Sequence, residues 1–265
     1  MRLSERLCLL LNRAFPKRRI EGRGSPSAYS EAQFHWAEKN YSLFSSSIDL
    51  KGKVVLDAGC GPGGKTMYYA TKGCHSIIGV DLDPVRIGHA QQFLRDHPDT
   101  KVEFMVADLS RLDFPTDSFD VIFLNDVFEH VARPLLERVL QELKRVLRPG
   151  GSICMEFPPW TSFDAGHLYD HLYIPWCQLI FSDRTLINVL EHLKAKGPEI
   201  GSSSVIEHYL ELNRITIPEA RSLFHKLAFT IMVFRHERIK GIRLFAWWPW
   251  LDSLLTRRVV AVLGK

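Results

Sequence analysis

The sequence is poor in cysteine, in long apolar runs and in clustered basic charge. Its five cysteines are an odd number without the spacing of a metal site, so we expect free thiols in a reducing compartment, the cytoplasm. No apolar run approaches the ~20 residues of a spanning helix. Residues 7–11 are also too few for the ~7–15-residue core of a signal peptide. The net charge of +4 is scattered, which argues against nucleic acid as a partner.

The most informative segment is an apolar strand that starts at Val54 and leads into a glycine-rich turn, Gly59-Cys60-Gly61-Pro62-Gly63-Gly64. Glycines permit positive φ and leave no Cβ between the backbone and a ligand. A helix predicted at residues 65–72 would point its first N–H groups across the turn. Dinucleotide folds use a similar turn. Asp57, however, lies directly before it and would repel a pyrophosphate, so we interpret the site as holding a nucleoside with a positively charged tail.

Polar residues follow the next three predicted strands as well. Asp81 ends the strand at 76–81, Asp108 follows the strand at 102–107, and Asn125 follows the strand at 119–124. Open α/β sheets bind ligands at this carboxyl edge, and an acid ~20 residues past the turn is placed to accept hydrogen bonds from ribose hydroxyls. Each acid could instead cap a helix, and the glycines could form a turn without a ligand. Four consecutive polar strand ends favour the ligand site.

Five segments, VLDAGCGPG, GVDLDP, VADLSRLDF, FDVIFLNDVFEHV and LKRVLRPGG, together resemble the class I S-adenosylmethionine-dependent methyltransferases, in their small-molecule, methyltransferase-11-like branch. The resemblance covers residues 54–157. It implies an α/β fold with a Rossmann-like, seven-stranded, mostly parallel sheet and an antiparallel C-terminal hairpin. It also implies S-adenosyl-L-methionine as the cofactor.

The same resemblance implies a role for each strand end. The glycine turn would contact the methionine portion and the ribose, and the acid after the second strand would bind the ribose hydroxyls, with the next residue against the adenine. The third strand end would contact the adenine amino group, and the fourth would face the methionine portion. The implied cofactor-binding residues are Asp57, Gly59, Gly61, Gly63, Asp81, Leu82, Asp108, Leu109 and Asn125.

The chain divides into a basic amphipathic segment with a linker, residues 1–26, and a methyltransferase domain, residues 27–265. Apolar residues recur at helical spacing near the start of the chain, with arginines between them. This pattern indicates either a helix docked on the domain or a helix lying on an anionic membrane. The aromatic cluster at residues 245–251 fits a core, a pocket wall or a membrane-interface anchor.

An insertion at residues 158–213 separates the fifth strand, at 152–157, from a helix predicted at 217–227. Connections in α/β units usually take ~2–6 residues, whereas this one takes over fifty and is rich in aromatic residues and histidine. We predict a helix at residues 184–194, capped by Ser182 or Asp183, and interpret the insertion as a helical substrate lid. Strands predicted at 229–239 and 257–263 would form the antiparallel hairpin.

Three histidines are the candidate catalytic residues: His130, His167 and His171. Methyl transfer from a sulfonium is an in-line displacement, and a base is needed only where the acceptor must lose a proton. His130 follows the fourth strand and is suited to that role, although it could also pack under the loop. His167 and His171 form an i, i+4 pair if helical and could bind a metal or relay a proton. Because no third ligand has clear spacing, we expect no metal.

The sequence therefore predicts an enzyme that methylates an O or C atom of a small-molecule or lipid-like acceptor, in the cytoplasm or on a membrane surface. No stretch resembling Asn-Pro-Pro-Tyr follows the fourth strand, which argues against methylation of exocyclic amines. Two alternatives remain open. The protein could bind the cofactor without transferring its methyl group, or it could be a non-catalytic partner that needs the cofactor for stability.

Overall fold

A seven-stranded mixed sheet forms the centre of the computed structural model, which describes residues 1–17, 25–97, 101–195, 203–239 and 249–265. The strand order is β3-β2-β1-β4-β5-β7-β6. Strands β1 to β5 are parallel, and β7 runs antiparallel to both β5 and β6. The strands are β1 (Val54–Ala58), β2 (Ser76–Asp81), β3 (Val102–Val106), β4 (Phe119–Asn125), β5 (Leu147–Phe157), β6 (Thr230–Arg238) and β7 (Thr256–Gly264). The predicted sheet and its antiparallel hairpin are confirmed.

The central strands are almost continuously buried, as expected where helices cover both faces of a parallel sheet. Chain order runs outward from β1 to β3 on one side and from β4 onward on the other. The strand order therefore reverses between β1 and β4. Ligands of open α/β sheets bind at the carboxyl ends of the strands at such a switch point.

Ten α-helices and two 3₁₀ turns surround the sheet in the described ranges. The helices are α1 (Leu3–Ala14), α2 (Pro26–Ser42), α3 (Gly64–Ala70), α4 (Pro84–Arg95), α5 (Leu136–Val146), α6 (Cys177–Ile180), α7 (Asp183–His192), α8 (Val205–Glu211), α9 (Ile217–Lys226) and α10 (Pro249–Leu255). The 3₁₀ turns are Phe128–His130 and Arg133–Leu135. Within these ranges, no helix is both long and apolar enough to cross a membrane.

Helix α5 illustrates why the sequence forms a helix where it does. Its buried residues recur every three or four positions, so they make one apolar stripe against the sheet. They are Leu136, Val139, Leu140, Leu143 and Val146. This face of the sheet also packs against α9, whereas α2, α3 and α4 pack against the opposite face.

The insertion and α1 share a third apolar core, separate from the two that flank the sheet. Cys8 of α1 is fully buried in it. The Asn12 side chain donates to the carbonyl of His171 at 2.8 Å and accepts from the backbone N–H of Tyr173 at 2.6 Å. Helix α1 is therefore docked on the insertion.

Two local differences from the sequence predictions have physical causes. Strand β5 begins at Leu147 rather than Ser152, because Leu147 pairs with Phe119 and Gly150 supplies a positive φ of 77° for the irregular register. His167 and His171 lie in turns rather than a helix, and His167 itself has a φ of 52°, so the helical i, i+4 pair does not form. The linker at residues 18–24 and most of the aromatic cluster at 245–251 lie outside the described residues.

Candidate functional site

Gly59 and Gly63 of the glycine turn are crowded by neighbouring side chains, whereas the space beside Gly61 is open. Gly59, Gly61 and Gly63 have φ values of 78°, 56° and 84°, which residues with a Cβ rarely adopt. A Cβ on Gly59 would lie 2.3 Å from Cγ2 of Val127, in the loop after β4. At Gly61, by contrast, no described atom would lie within 4 Å of an added Cβ. The space above Gly61 can therefore admit a ligand.

Asp57 is a buried carboxylate near the end of β1, one residue before this turn. The hydroxyl of Thr66 donates to its Oδ2 at 2.6 Å. Burial nevertheless raises the pKa of Asp57 to about 6, against the lowering effects of the Thr66 hydrogen bond and of Lys65. The folded protein therefore holds a partly desolvated negative charge here at neutral pH, and a cationic ligand group would be stabilised beside it.

Asp81 is held rigidly at the end of β2. Its Oδ2 accepts the N–H of Gly61 and its Oδ1 accepts the N–H of Asp83, both at 2.9 Å. The carboxylate thus ties the second strand to the glycine turn. Leu82 next to it is 68% exposed, so an apolar side chain is available beside a fixed acceptor.

The third and fourth strand ends differ from each other. Asp108 is exposed and accepts the N–H of Ser110 at 2.8 Å, while Leu109 packs on the core. Asn125 is buried, and its Nδ2 donates to the hydroxyl of Tyr69 at 2.9 Å. Its Oδ1 has no hydrogen-bond partner in the part of the chain that the structure describes. A buried acceptor without a partner is costly, so Asn125 fits a ligand that donates to it.

Sequence reasoning missed an ionic network behind these strand ends. Asp126 accepts from Lys65 of α3 at 2.9 Å and from Arg258 of β7, which also lies 3.5 Å from Glu156 at the end of β5. Burial works to raise the pKa of Asp126, but Arg258 and Lys65 outweigh it and hold that pKa well below its usual range. Glu156 lies at the carboxyl end of its strand, as the predicted acids do. Its place at the ligand-binding edge of the sheet could therefore have been predicted from the sequence. Asn40 of α2 also donates to Glu156.

A histidine cluster lies where the loop after β4 meets the insertion. Ring nitrogens of His130, His167 and His208 all lie within 4.8 Å of one another. Oε1 of Glu129 is 3.9 Å from Nε2 of His130 and 3.7 Å from Nε2 of His167. Among the described residues this group includes His208 of α8 and not His171. Two of the three predicted histidines are therefore brought together, and the third member was missed because only tertiary structure places it there.

The 3₁₀ turn that carries Glu129 and His130 is anchored by Asn213 at the end of the insertion. The Asn213 side chain donates to the carbonyls of Phe128 and Val131 at 2.6 and 3.0 Å, and its backbone N–H donates to the carbonyl of Glu129 at 2.9 Å. Burial, reinforced by His167 and His208, holds the pKa of His130 well below its usual range. Burial also raises the pKa of Glu129. The cluster is thus preorganised and largely removed from solvent.

The segment of the chain that carries these strand ends matches a known protein family. The family described as "Methyltransferase domain" matches residues 55–151, from β1 into β5, and so takes in the glycine turn and all four strand ends. Over these residues the chain carries a methyltransferase domain, which supports the resemblance to the class I S-adenosylmethionine-dependent methyltransferases. S-adenosylmethionine is the cofactor of these enzymes. The recognition, fold class and cofactor predicted from the sequence are confirmed.

Individual relatives share the domain over part of their length. The phthiotriol/phenolphthiotriol dimycocerosates methyltransferase of Mycobacterium leprae is 36% identical over 115 residues, 43% of this chain and 40% of that protein. The chloroplastic tocopherol O-methyltransferase of Arabidopsis thaliana is 29% identical over 171 residues, 58% of this chain and 49% of that protein. The chain spans about half the length, or less, of the curated relatives that it matches.

A solved structure extends the likeness to the whole fold. A SAM-dependent methyltransferase from Methanosarcina mazei superposes with a TM-score of 0.57 at 23% identity, covering 85% of this chain and 97% of that one. The crevice described above has features that fit the cofactor. Open space at Gly61, the unpartnered Oδ1 of Asn125, the exposed Leu82 and the buried charge of Asp57 are suited to a cationic nucleoside.

Proposed function

We propose that this chain transfers the methyl group of S-adenosylmethionine to an O or C atom of a small-molecule or lipid-like acceptor. The observation that carries the proposal is the convergence of Asp57, the glycine turn, Asp81 and Asn125 at the point where the strand order reverses. The insertion contributes His167 and His208 to a cluster with His130, from the loop after β4. An acceptor could therefore be held between the insertion and the cofactor crevice.

When bound, the cofactor would supply an electrophilic methyl group on a sulfonium. Asp81 would accept hydrogen bonds from the ribose hydroxyls, with Leu82 packed on the adenine and Asp108 and Leu109 beside the adenine amino group. Asn125 would accept from the methionine ammonium, and Asp57 would stabilise positive charge across the turn. Because the displacement is in line, this positioning and the exclusion of water would supply most of the rate enhancement.

The insertion, residues 158–213, is the proposed acceptor lid. Five of its aromatic side chains are half-buried and offer walls of low polarity for a bulky apolar acceptor. They are Trp160, Phe163, Tyr169, Tyr173 and Trp176. The relatives named for phthiotriol dimycocerosates and for tocopherol agree with an acceptor of this kind.

An acceptor hydroxyl would lose its proton at the histidine cluster. His130 is the proposed general base, with His167 beside it at a ring-centroid distance of 4.9 Å. His171 stays a candidate from the sequence only, since it lies outside the cluster of described histidines. A carbon acceptor with a nucleophilic double bond would need the base only after methyl transfer.

The first helix is proposed as a peripheral membrane contact. Helix α1 buries Glu5 and Cys8 against the insertion but leaves Leu3, Leu7 and Leu10 exposed by 84%, 48% and 64%. Arg6 lies between these leucines and Arg2 and Arg13 flank them, as basic residues do in helices that bind anionic membranes. Such a contact would place the proposed lid beside the membrane that holds a lipid-like acceptor.

Sedimentation with vesicles of anionic and of neutral lipid tests this contact. We expect Leu7→Glu together with Leu10→Glu to release the protein from anionic vesicles. Met232→Glu, which changes an exposed apolar residue on the edge strand β6, should leave it bound. A wild-type protein that stays in the supernatant would refute the membrane contact without affecting the methyltransferase proposal.

The function itself is tested by following S-adenosylhomocysteine formation with labelled cofactor. Candidate acceptors should include long-chain alcohols, phenols with isoprenoid tails and sterols, and mass spectrometry of the product identifies the methylated atom. Cofactor binding measured in parallel separates the alternatives. Binding without transfer to any acceptor would favour a cofactor-binding protein, and absence of binding would refute the cofactor site.

A further inference from the structure

We propose that His130, His167 and His208 bind a divalent transition-metal ion, with the carboxylate of Glu129 as a fourth ligand. The three side chains come from different parts of the chain. His130 lies in the 3₁₀ turn after β4, His167 lies in a turn of the insertion, and His208 lies in α8. Their ring nitrogens nonetheless converge to within 4.8 Å of one another.

The separations are compatible with coordination after a small closure. Zinc–nitrogen bonds are about 2.0–2.1 Å, which puts neighbouring nitrogens in a tetrahedral site roughly 3.4 Å apart. The side chains would therefore need to close by about 1–1.5 Å, a shift that small χ rotations can supply. Glu129 Oε1 already lies 3.7 and 3.9 Å from two of the ring nitrogens.

The state of Glu129 is an independent observation that points to a cation. Its side chain is buried, and neither carboxylate oxygen has a hydrogen-bond partner among the described residues. Buried carboxylates without partners are costly, and in proteins they are normally paired or bound to a metal. A cation between the three imidazoles would provide the missing partner for this carboxylate.

The donor set also selects the kind of ion. Three imidazole nitrogens and one carboxylate oxygen suit zinc, iron, cobalt or nickel, whereas magnesium and calcium prefer an all-oxygen set. Three histidine ligands also occur in zinc sites where a metal-bound oxygen loses its proton near neutral pH. The proposed ion is therefore zinc or a divalent ion with similar ligand preferences, and Zn²⁺ and Co²⁺ serve as probes.

Such an ion would tie the insertion to the cofactor crevice. Glu129 and His130 belong to the loop whose Val127 lies against Gly59, while His167 and His208 belong to the insertion. Metal binding would thus hold the insertion closed over the crevice. If the proposed function is correct, an acceptor hydroxyl would join the ion as a fifth ligand and its pKa would fall, so His130 would act through the metal rather than as a free base.

Metal binding can be measured without cofactor or acceptor, so its failure is distinct from failure of the methyltransferase proposal. The full chain, without a polyhistidine tag, is treated with a chelator and titrated with Zn²⁺ by calorimetry. We expect one equivalent to bind. His208→Ala and His167→Ala should each weaken zinc binding by about 10–100-fold or more. Loss of a residue that only hydrogen-bonds to a metal ligand already weakens binding by about 10–100-fold.

His192→Ala is the matched control, because His192 is an exposed histidine of the same insertion. It should bind zinc as the unmodified chain does, and Glu129→Gln should bind it more weakly. Circular dichroism checks that each variant is folded. Should a variant unfold, X-ray absorption of the zinc-loaded unmodified chain decides instead, with three imidazole nitrogens expected at the metal.

Three results would overturn the metal site: no zinc bound by the unmodified chain, equal binding by folded His208→Ala, or loss of binding in His192→Ala. Each would leave the histidines as a proton relay. The Co²⁺ complex provides a further check, since a four-coordinate N₃O site gives visible ligand-field absorption far stronger than that of the hexahydrated ion. A spectrum unchanged from free Co²⁺ would also refute the site.

Discussion

Asp57→Asn should make the cofactor-free protein more stable while weakening cofactor binding. Burial raises the pKa of Asp57 to about 6 in the folded chain, whereas its ordinary value is 3.8. Below pH 3.8 the carboxyl is protonated in both states. As the pH rises towards 6, the unfolded chain loses this proton before the folded chain does, so stability falls. Above pH 6 the folded chain carries the full penalty.

The penalty can be estimated from the shift. A difference of about two pKa units corresponds to about 3 kcal/mol at pH 8 and to roughly 1.6 kcal/mol at pH 5. Asparagine removes the ionisation and can still accept from Thr66, although a hydrogen bond to a neutral amide is weaker. The stability of the variant relative to the parent should therefore increase by about 1–1.5 kcal/mol between pH 5 and pH 8.

Urea unfolding at the two pH values measures this change, with Asp120→Asn as the control. Burial works to raise the pKa of Asp120, but the N–H of Val54 and the guanidinium of Arg148 lower it overall. The stabilisation that ionised Asp120 provides is lost only as the pH falls through this lowered pKa. The control should therefore be destabilised about equally at pH 5 and pH 8. An Asp57→Asn variant with the same relative stability at both would refute the assignment of the shift to burial.

Cofactor affinity should move in the opposite direction from stability. The carboxylate that is costly in the free protein would stabilise positive charge in the complex. Calorimetry with S-adenosylmethionine should show Asp57→Asn binding more weakly by about 1.5–3 kcal/mol, the range for a hydrogen bond to a charged group. Unchanged affinity would exclude Asp57 from the cofactor site.

Three further changes test the remaining assignments. Asp81→Ala should weaken cofactor binding by about 1.5–3 kcal/mol, and a folded variant with parental affinity by calorimetry would contradict the ribose role. His130→Ala should lower turnover by about 10²–10⁴-fold while cofactor binding persists, and parental turnover would leave His130 a purely structural role. Deleting the central part of the insertion should abolish turnover but spare cofactor binding, because the insertion and α1 pack around a core separate from the two that flank the sheet. Loss of cofactor binding in the deletion variant would show that the insertion supports the crevice directly.

The parallel sheet and the cofactor crevice could be predicted because their signals are local. Each central strand is a short apolar run bounded by a turn, and the polar residue that follows it must emerge at the carboxyl edge whatever the rest of the chain does. The helix predicted near residue 184 follows the same logic. Ser182 accepts the N–H of Thr185 as its cap, a bond made within four residues. Such features depend on residues that are close in sequence, so they can be predicted without knowledge of the tertiary fold.

Other parts of the site depend on contacts between distant segments. Arg258 meets Asp126 across 132 residues of sequence, because β7 returns antiparallel beside β5. His208 joins His130 and His167 only because α8 folds back onto the loop after β4. The spacing of His167 and His171 predicted a different pair, which a helix would have formed and the observed turn does not. Periodicity reports which face of one element is buried, whereas side-chain convergence between elements is decided by how those elements pack.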